Sequence, residues 1–128
     1  MPGSDKLSKP EIVGPGTWFS IHTMAINAKT AAEKQCFIRF IKQVCENFKC
    51  LKCKEHCQNY IRSNPPENYL NSDIYIAEKY GYIPGVFKWT WEFHNAVNKR
   101  LAKPIVAFED AYKYYIPGND IGVCTAAC

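Results

Sequence analysis

No run of apolar residues in this 128-residue chain comes near the roughly 18 that a spanning helix needs, which excludes such a helix and makes a soluble protein the expectation. The start of the chain, Met1-Pro2-Gly3-Ser4-Asp5-Lys6, has no apolar core of the kind a secretory signal carries. Charge of one sign is never gathered into a block. The 16 basic and 12 acidic residues are interspersed, so the net +4 reads as a solvated surface rather than a nucleic-acid footprint. Repeats and low-complexity segments are missing too, and so is any alternating stretch long enough for a useful strand. What is present, 47% apolar and 14% aromatic residues, is enough for one globular domain with a core of its own.

The apolar spacing is helical. Residues 1–13 are polar and aperiodic, a flexible lead-in closed by the turn-forming Gly14-Pro15-Gly16. A first helix is expected from Thr17, which can cap it, through Trp18, Ile21, His22, Ala25 and Ile26. Between Ala31 and Phe48, Cys36, Phe37, Phe40, Ile41, Val44, Cys45 and Phe48 mark one buried face. A third helix starts around Cys50 and runs to Ser63, where Asn64-Pro65-Pro66 stops it. Residues 64–85 read as a connection with a weak helical patch from Ile74 to Tyr80, closed by Gly81 and Pro84. The fourth helix, Val86 to Ala102, carries Phe87, Trp91, His94, Asn98 and Leu101 on one stripe. A short last helix holds Phe108, Ala111, Tyr112 and Tyr115 and ends at Pro117-Gly118, leaving 118–128 as a flexible tail. The expected architecture is all-α, a four-helix bundle with a short fifth helix over residues 14–117.

Seven cysteines are many for a chain expected to stay unsecreted, and the odd count leaves at least one unpaired within the chain. Cys50-Leu51-Lys52-Cys53 opens a helix, where free N–H groups and the helix dipole favour the thiolate that redox exchange requires. Lys49, Lys52 and Lys54 add positive potential. Zinc is the competing reading, because His56 and Cys57 crowd the same stretch; one helical face holds only residues 50, 53 and 57, so a closed site needs a distant pair such as Cys124 and Cys128. Spacing alone leaves redox, zinc and packing open. Cys124 and Cys128, among small residues, also suit a mobile disulfide carrier, or are idle surface thiols. For Cys36, Cys45 and Cys57 packing on apolar faces is the simplest account, with a bridge possible for any of them.

Trp18 and His22, and His94 and Asn98, each lie one helical turn apart and point polar planar groups at the core. Taken singly, each histidine reads as buried and hydrogen-bonded. Together with Trp91 and the cysteine pair they resemble the lining of a cofactor pocket.

Gly14-Pro15-Gly16-Thr17-Trp18-Phe19-Ser20-Ile21-His22, then Cys50-Leu51-Lys52-Cys53, then Trp91 through Pro104 with His94-Asn95-Ala96-Val97-Asn98 inside, resemble in that order the Erv/ALR family of FAD-linked sulfhydryl oxidases. The Gly-Pro-Gly start is more like the compact enzymes of large DNA viruses than cellular members, and the 64–85 segment is longer than in the shortest members. The resemblance implies a bundle holding FAD beside the Cys-x-x-Cys, usually in a homodimer, with no metal. By position it implies Cys53 as the thiol facing the flavin and Cys50 as the one exchanging with substrate. It further implies FAD contacts from Thr17, Trp18, His22, His94, Val97, Asn98, Leu101 and Lys103, with Tyr112 or Tyr115 supplying a late aromatic. The implied reaction oxidises thiol-containing proteins or a thioredoxin-like carrier, with Cys124–Cys128 as shuttle, and reduces molecular oxygen to hydrogen peroxide. A viral member belongs in host cytoplasm or virion, a cellular one in the mitochondrial intermembrane space. Neither nucleic acid nor membrane is an expected partner.

Overall fold

The computed structural model describes residues 10–118, with side chains from Gly16 onward. Helix α1 spans Pro10–Ile26, α2 Ala31–Glu46, α3 Leu51–Ser63, α4 Gly85–Arg100 and α5 Phe108–Tyr115. α1 packs on α4 and α2 on α3, which makes the four-helix bundle, and α5 closes against α1 and α4. Ile21, Ala25, Phe37, Ile41, Phe87 and Trp89 lie at its centre, each at 1% exposure or less.

Local chemistry sets most of the boundaries. A reciprocal capping box opens α2: the Glu33 N–H donates to Thr30 Oγ1 at 3.1 Å, and the Thr30 N–H donates to Glu33 Oε1 at 2.9 Å. Pro65 and Pro66 follow the end of α3, as proline geometry demands. The first helix corrects the sequence reading. It begins at Pro10 rather than Thr17 and passes through Gly14-Pro15-Gly16, so Thr17 lies inside the helix and is not its cap. Proline at the first helical position lacks only a donor that has no partner there, and the φ of Pro15 is itself helical.

Residues 64–85 are not helical at Ile74–Tyr80. They form a 3-10 turn, Pro66–Tyr69, and an antiparallel hairpin of β1 (Ile74–Ala77) and β2 (Gly81–Ile83) that pairs Ile74 with Ile83 and Tyr75 with Tyr82. Gly81 takes the positive φ of 68° that the turn requires. A polar knot holds this insert to the bundle. Lys34 Nζ donates to both Asp73 carboxylate oxygens at 3.0 Å and to the Leu70 carbonyl at 3.2 Å, while the Gly85 N–H donates to Asp73 Oδ1 at 3.0 Å. The ammonium is buried, so this pairing is what makes its burial tolerable.

Cys45 and Cys57 form a disulfide between α2 and α3, with Cα atoms 5.4 Å apart, which replaces the packing account of these residues. Closing a loop of this size stabilises the fold by about 3 kcal/mol. Cys36 also departs from that account: it is a free thiol exposed on the outer face of α2, because its neighbour Phe37 takes the inward direction.

Candidate active site

Cys50 is the N-cap of α3, and its sulfur accepts the Cys53 backbone N–H at 3.3 Å. That cap gives the two sulfurs unequal chemistry. The Cys53 side chain and backbone N–H both bond to the Cys50 sulfur and hold its pKa below the ordinary thiol range, with the Arg100 guanidinium adding a smaller pull. Burial, and then the Cys50 sulfur beside it, push Cys53 up to about 11. Of the reduced pair, Cys50 thus gives up its proton more readily and Cys53 holds its own. In the reduced protein, Cys50 is therefore expected to react with iodoacetamide about tenfold or more faster than Cys53 at neutral pH. Its rate should rise with pH and level off at a lower pH than that of Cys53, since deprotonation makes the nucleophile. Peptide mass spectrometry reads both quantities, and preferential labelling of Cys53 would reverse the assignment.

Both cysteines line a cavity of about 1070 Å³ enclosed by α1, α2, α3 and α4. Trp18, Phe40, Val44, Tyr60, Phe93 and Val97 supply apolar and aromatic wall, and Arg100 shares the space with the sulfurs. The volume is just above the range of about 300–1000 Å³ that cofactor and drug-sized sites offer. Walls of this kind suit a large planar aromatic group.

Behind Trp18 sits a second cluster. The His94 ring stacks on the Trp18 ring at 3.9 Å with 4° between planes, and His22 lies 5.1 Å from His94 and 4.8 Å from the Tyr115 ring. His22 Nδ1 is 2.8 Å from Thr90 Oγ1, and His22 Nε2 is 2.9 Å from His94 Nδ1. Burial, with a smaller contribution from His94, depresses His22 to about 3; burial, then the Lys103 charge, depresses His94 to about 4. Both rings are neutral at physiological pH.

The C-terminus of α4 turns sharply here. Lys103 N–H donates to the Asn98 carbonyl at 2.7 Å and Ala102 N–H to the Lys99 carbonyl at 3.2 Å, with Ala102 in the left-handed region at φ 56°. This Schellman turn brings Lys103 back near His94. Asn98, at 8% exposure, makes no side-chain hydrogen bond among the described residues. A planar aromatic cavity flanked by an uncommitted amide, an imidazole and an ammonium fits a large, partly anionic cofactor.

A family model described as the Erv1 / Alr family matches residues 15–116. The chain belongs to the Erv1 / Alr family. An FAD-linked sulfhydryl oxidase of African swine fever virus is 33% identical over 105 residues, covering 80% of this chain and 78% of that protein. The mitochondrial FAD-linked sulfhydryl oxidase of Saccharomyces cerevisiae is 29% identical over 112 residues, covering 81% of this chain and 53% of that one. In fold, the crystal structure of the yeast Erv1 core aligns with a TM-score of 0.66 at 24% identity, over 88% of this chain and 87% of the other. The helical bundle matches that of the Erv1 core in fold.

In this family member the expected site residues divide among three places. Thr17, Trp18, Val97 and Leu101 line the cavity with Cys50 and Cys53. His22, His94 and Tyr115 form the cluster against Trp18, and Asn98 and Lys103 sit at the turn beyond it. Tyr112 goes elsewhere, packing on Tyr80 at the hairpin turn and on Phe108, so of the two tyrosines it is Tyr115 that reaches His22. Trp91 also leaves the pocket: its Nε1–H donates to the Val106 carbonyl at 2.7 Å. Among the described residues no group of His, Cys, Asp and Glu is placed to hold a metal ion, and His56 is exposed. Cys124 and Cys128 lie outside the described residues.

Sequence reasoning missed Tyr60, Phe93, Arg100 and Thr90. For Phe93, Val97 and Arg100 a signal existed in their spacing of four and three along α4, the helix that also carries the His-Asn motif. Phe40 and Val44 were legible as an inward face, but that face borders the cavity instead of closing a solid core.

Proposed function

We infer that this chain is an FAD-dependent sulfhydryl oxidase that makes disulfides in protein substrates. The observation that carries the reading is the pair of electronically unequal sulfurs, Cys50 and Cys53, opening together on one aromatic cavity. Family membership supports it. A substrate thiolate attacks Cys50 of the oxidised pair, the Cys50–Cys53 bond breaks, and Cys53 leaves as the reduced sulfur. The second substrate thiolate then attacks the substrate sulfur of the mixed disulfide. Cys50 departs, and its depressed pKa makes it the better leaving group. The substrate is oxidised by two electrons and the cysteine pair is reduced by two.

Thr17, Trp18, Val97 and Leu101 would hold the cofactor along the cavity, and His94, Asn98, Lys103 and Tyr115, behind Trp18, would supply its polar contacts. When bound, FAD supplies a two-electron acceptor that dioxygen can reoxidise to give hydrogen peroxide. Protein dithiols or a thioredoxin-like carrier are the inferred substrates, because Cys50 is partly exposed at a helix N-terminus flanked by Lys49, Lys52 and Lys54. The inferred assembly is a homodimer.

The purified protein should be yellow, with a flavin spectrum, and should consume one dioxygen per dithiol oxidised when given dithiothreitol. A colourless protein carrying stoichiometric zinc, or one that binds FAD without consuming oxygen, would sink the reading.

A further inference from the structure

We propose that Thr90 is a positioning residue that fixes the proton order of the His22–His94 pair, so that His94 presents a bare Nε2, a hydrogen-bond acceptor, to an O–H or N–H group of the bound cofactor. The proton order follows from a single buried hydroxyl. Thr90, at 0% exposure, lies in α4 with Oγ1 2.6 Å from the Phe87 carbonyl three residues earlier. A carbonyl has no proton, so at that distance the hydroxyl must donate to it. The one proton of Thr90 is thereby committed, and its oxygen can only accept from His22 Nδ1, 2.8 Å away. His22 therefore carries its proton on Nδ1.

A neutral imidazole has only one N–H, so His22 Nε2 is a lone pair and accepts from His94 Nδ1 at 2.9 Å. His94 in turn has its single proton on Nδ1, and its Nε2 is left unprotonated. The opposite order would place the Thr90 oxygen against the Phe87 carbonyl oxygen with no proton between them, in a site that excludes water. A doubly protonated His22 is also ruled out. It is 3% exposed and its neighbours are Thr90, His94 and aromatic rings, with no carboxylate among its described contacts to hold a charge.

No described residue bonds to His94 Nε2, and no buried side-chain nitrogen among the described residues lacks a partner, so this atom is not sealed off and can be reached from outside the helix packing. The ring is stacked flat on Trp18, itself a cavity wall, which fixes where the lone pair points. The partner class is a hydrogen-bond donor, such as a sugar hydroxyl or a ring N–H; a second acceptor, such as a phosphate oxygen, would be repelled. A side chain at position 90 without a hydroxyl would free both rings to carry their protons on Nε2, turning His94 from acceptor into donor. The role toward the cofactor rests on the flavin reading; the proton order does not.

The test uses the full-length protein as purified, labelled with ¹⁵N at histidine, in two-bond ¹H–¹⁵N correlation spectra at neutral pH. Wild type is expected to show Nδ1–H tautomers for His22 and His94. Thr90→Val should convert both to Nε2–H and weaken FAD binding, followed by flavin fluorescence, by about tenfold, while Thr90→Ser should keep the wild-type tautomers and stay within about twofold. An Nε2–H signal on either ring of wild type overturns the proton order, and that observation stands even if Thr90→Val fails to fold. Converted tautomers with unchanged FAD affinity overturn the role toward the cofactor. A wild-type protein that binds no FAD at all overturns the functional reading instead, and the tautomer spectrum still judges the relay.

Discussion

Replacing either Cys50 or Cys53 with serine is expected to stop dithiol-dependent oxygen consumption, a loss on the order of 10³-fold or more, because a lone sulfur cannot cycle between dithiol and disulfide. The loss is chemical and not structural. Serine is a good N-cap, so in Cys50→Ser a hydroxyl takes over the bond from the Cys53 N–H that the sulfur accepts. The thermal midpoint should move by only a few degrees, and FAD should still bind, since the aromatic wall is untouched. The two variants then differ in a way that reports the roles. Offered the disulfide form of a substrate, Cys53→Ser keeps the partly exposed sulfur and should exchange with it to a mixed disulfide, releasing one substrate thiol, whereas Cys50→Ser leaves only the more buried sulfur and should not. An oxygen electrode and a mass shift on the intact protein measure both. Retention of even a tenth of the activity in Cys53→Ser would show that electrons reach oxygen by another route.

The second large effect is on stability. Trp89→Ala is expected to lower the unfolding free energy by about 3–5 kcal/mol, as large-to-small changes at fully buried aromatics do. Trp89 is 0% exposed and meets the rings of Phe37, Tyr60 and Phe93, at 6.5, 5.8 and 5.3 Å between centroids. Its Nε1–H donates to the Asn64 carbonyl at 2.7 Å, which pins the end of α3 to α4. Alanine removes the ring and leaves that carbonyl without its donor, adding about 1 kcal/mol or more. Against a total of about 5–15 kcal/mol, the variant stands near the edge of folding, with a midpoint lowered by roughly 10–20 °C. Tyr60 and Phe93 also wall the cavity, so cofactor affinity should fall alongside. Urea unfolding of both proteins gives the number; a change under about 1 kcal/mol would mean that the ring does not hold the core.

Periodicity was a good guide wherever helix, cap and burial agreed. Of the inward face expected on α2, Phe37, Ile41 and Cys45 are buried, and Pro65-Pro66 announces the end of α3. It misled between Ile74 and Tyr80. Those residues have apolar spacing that a helix also satisfies, and what makes them a hairpin is pairing with the strand that follows at Gly81 and the anchoring of Asp73 by Lys34, 39 residues away in sequence. The start of α1 was misplaced for the opposite reason, since Gly-Pro-Gly is a local stop signal that the fold overrides. The Cys45–Cys57 bridge had no legible sign, because pairing depends on how α2 meets α3 and seven cysteines allow many connectivities.

The amino-acid sequence by itself determined that this is a helical bundle built around Cys50-Leu51-Lys52-Cys53 and a His-Asn motif, because helical periods and helix-opening cysteines are short-range properties of the chain. Only the tertiary structure decided which residues share one space. It set Arg100 and the aromatic wall beside the two sulfurs, sent Tyr115 rather than Tyr112 to His22, and put Thr90 behind that ring. The reason is that a cavity and a proton order are properties of surfaces meeting across helices, and a hydroxyl 68 residues from its imidazole carries no mark of the partner it will have.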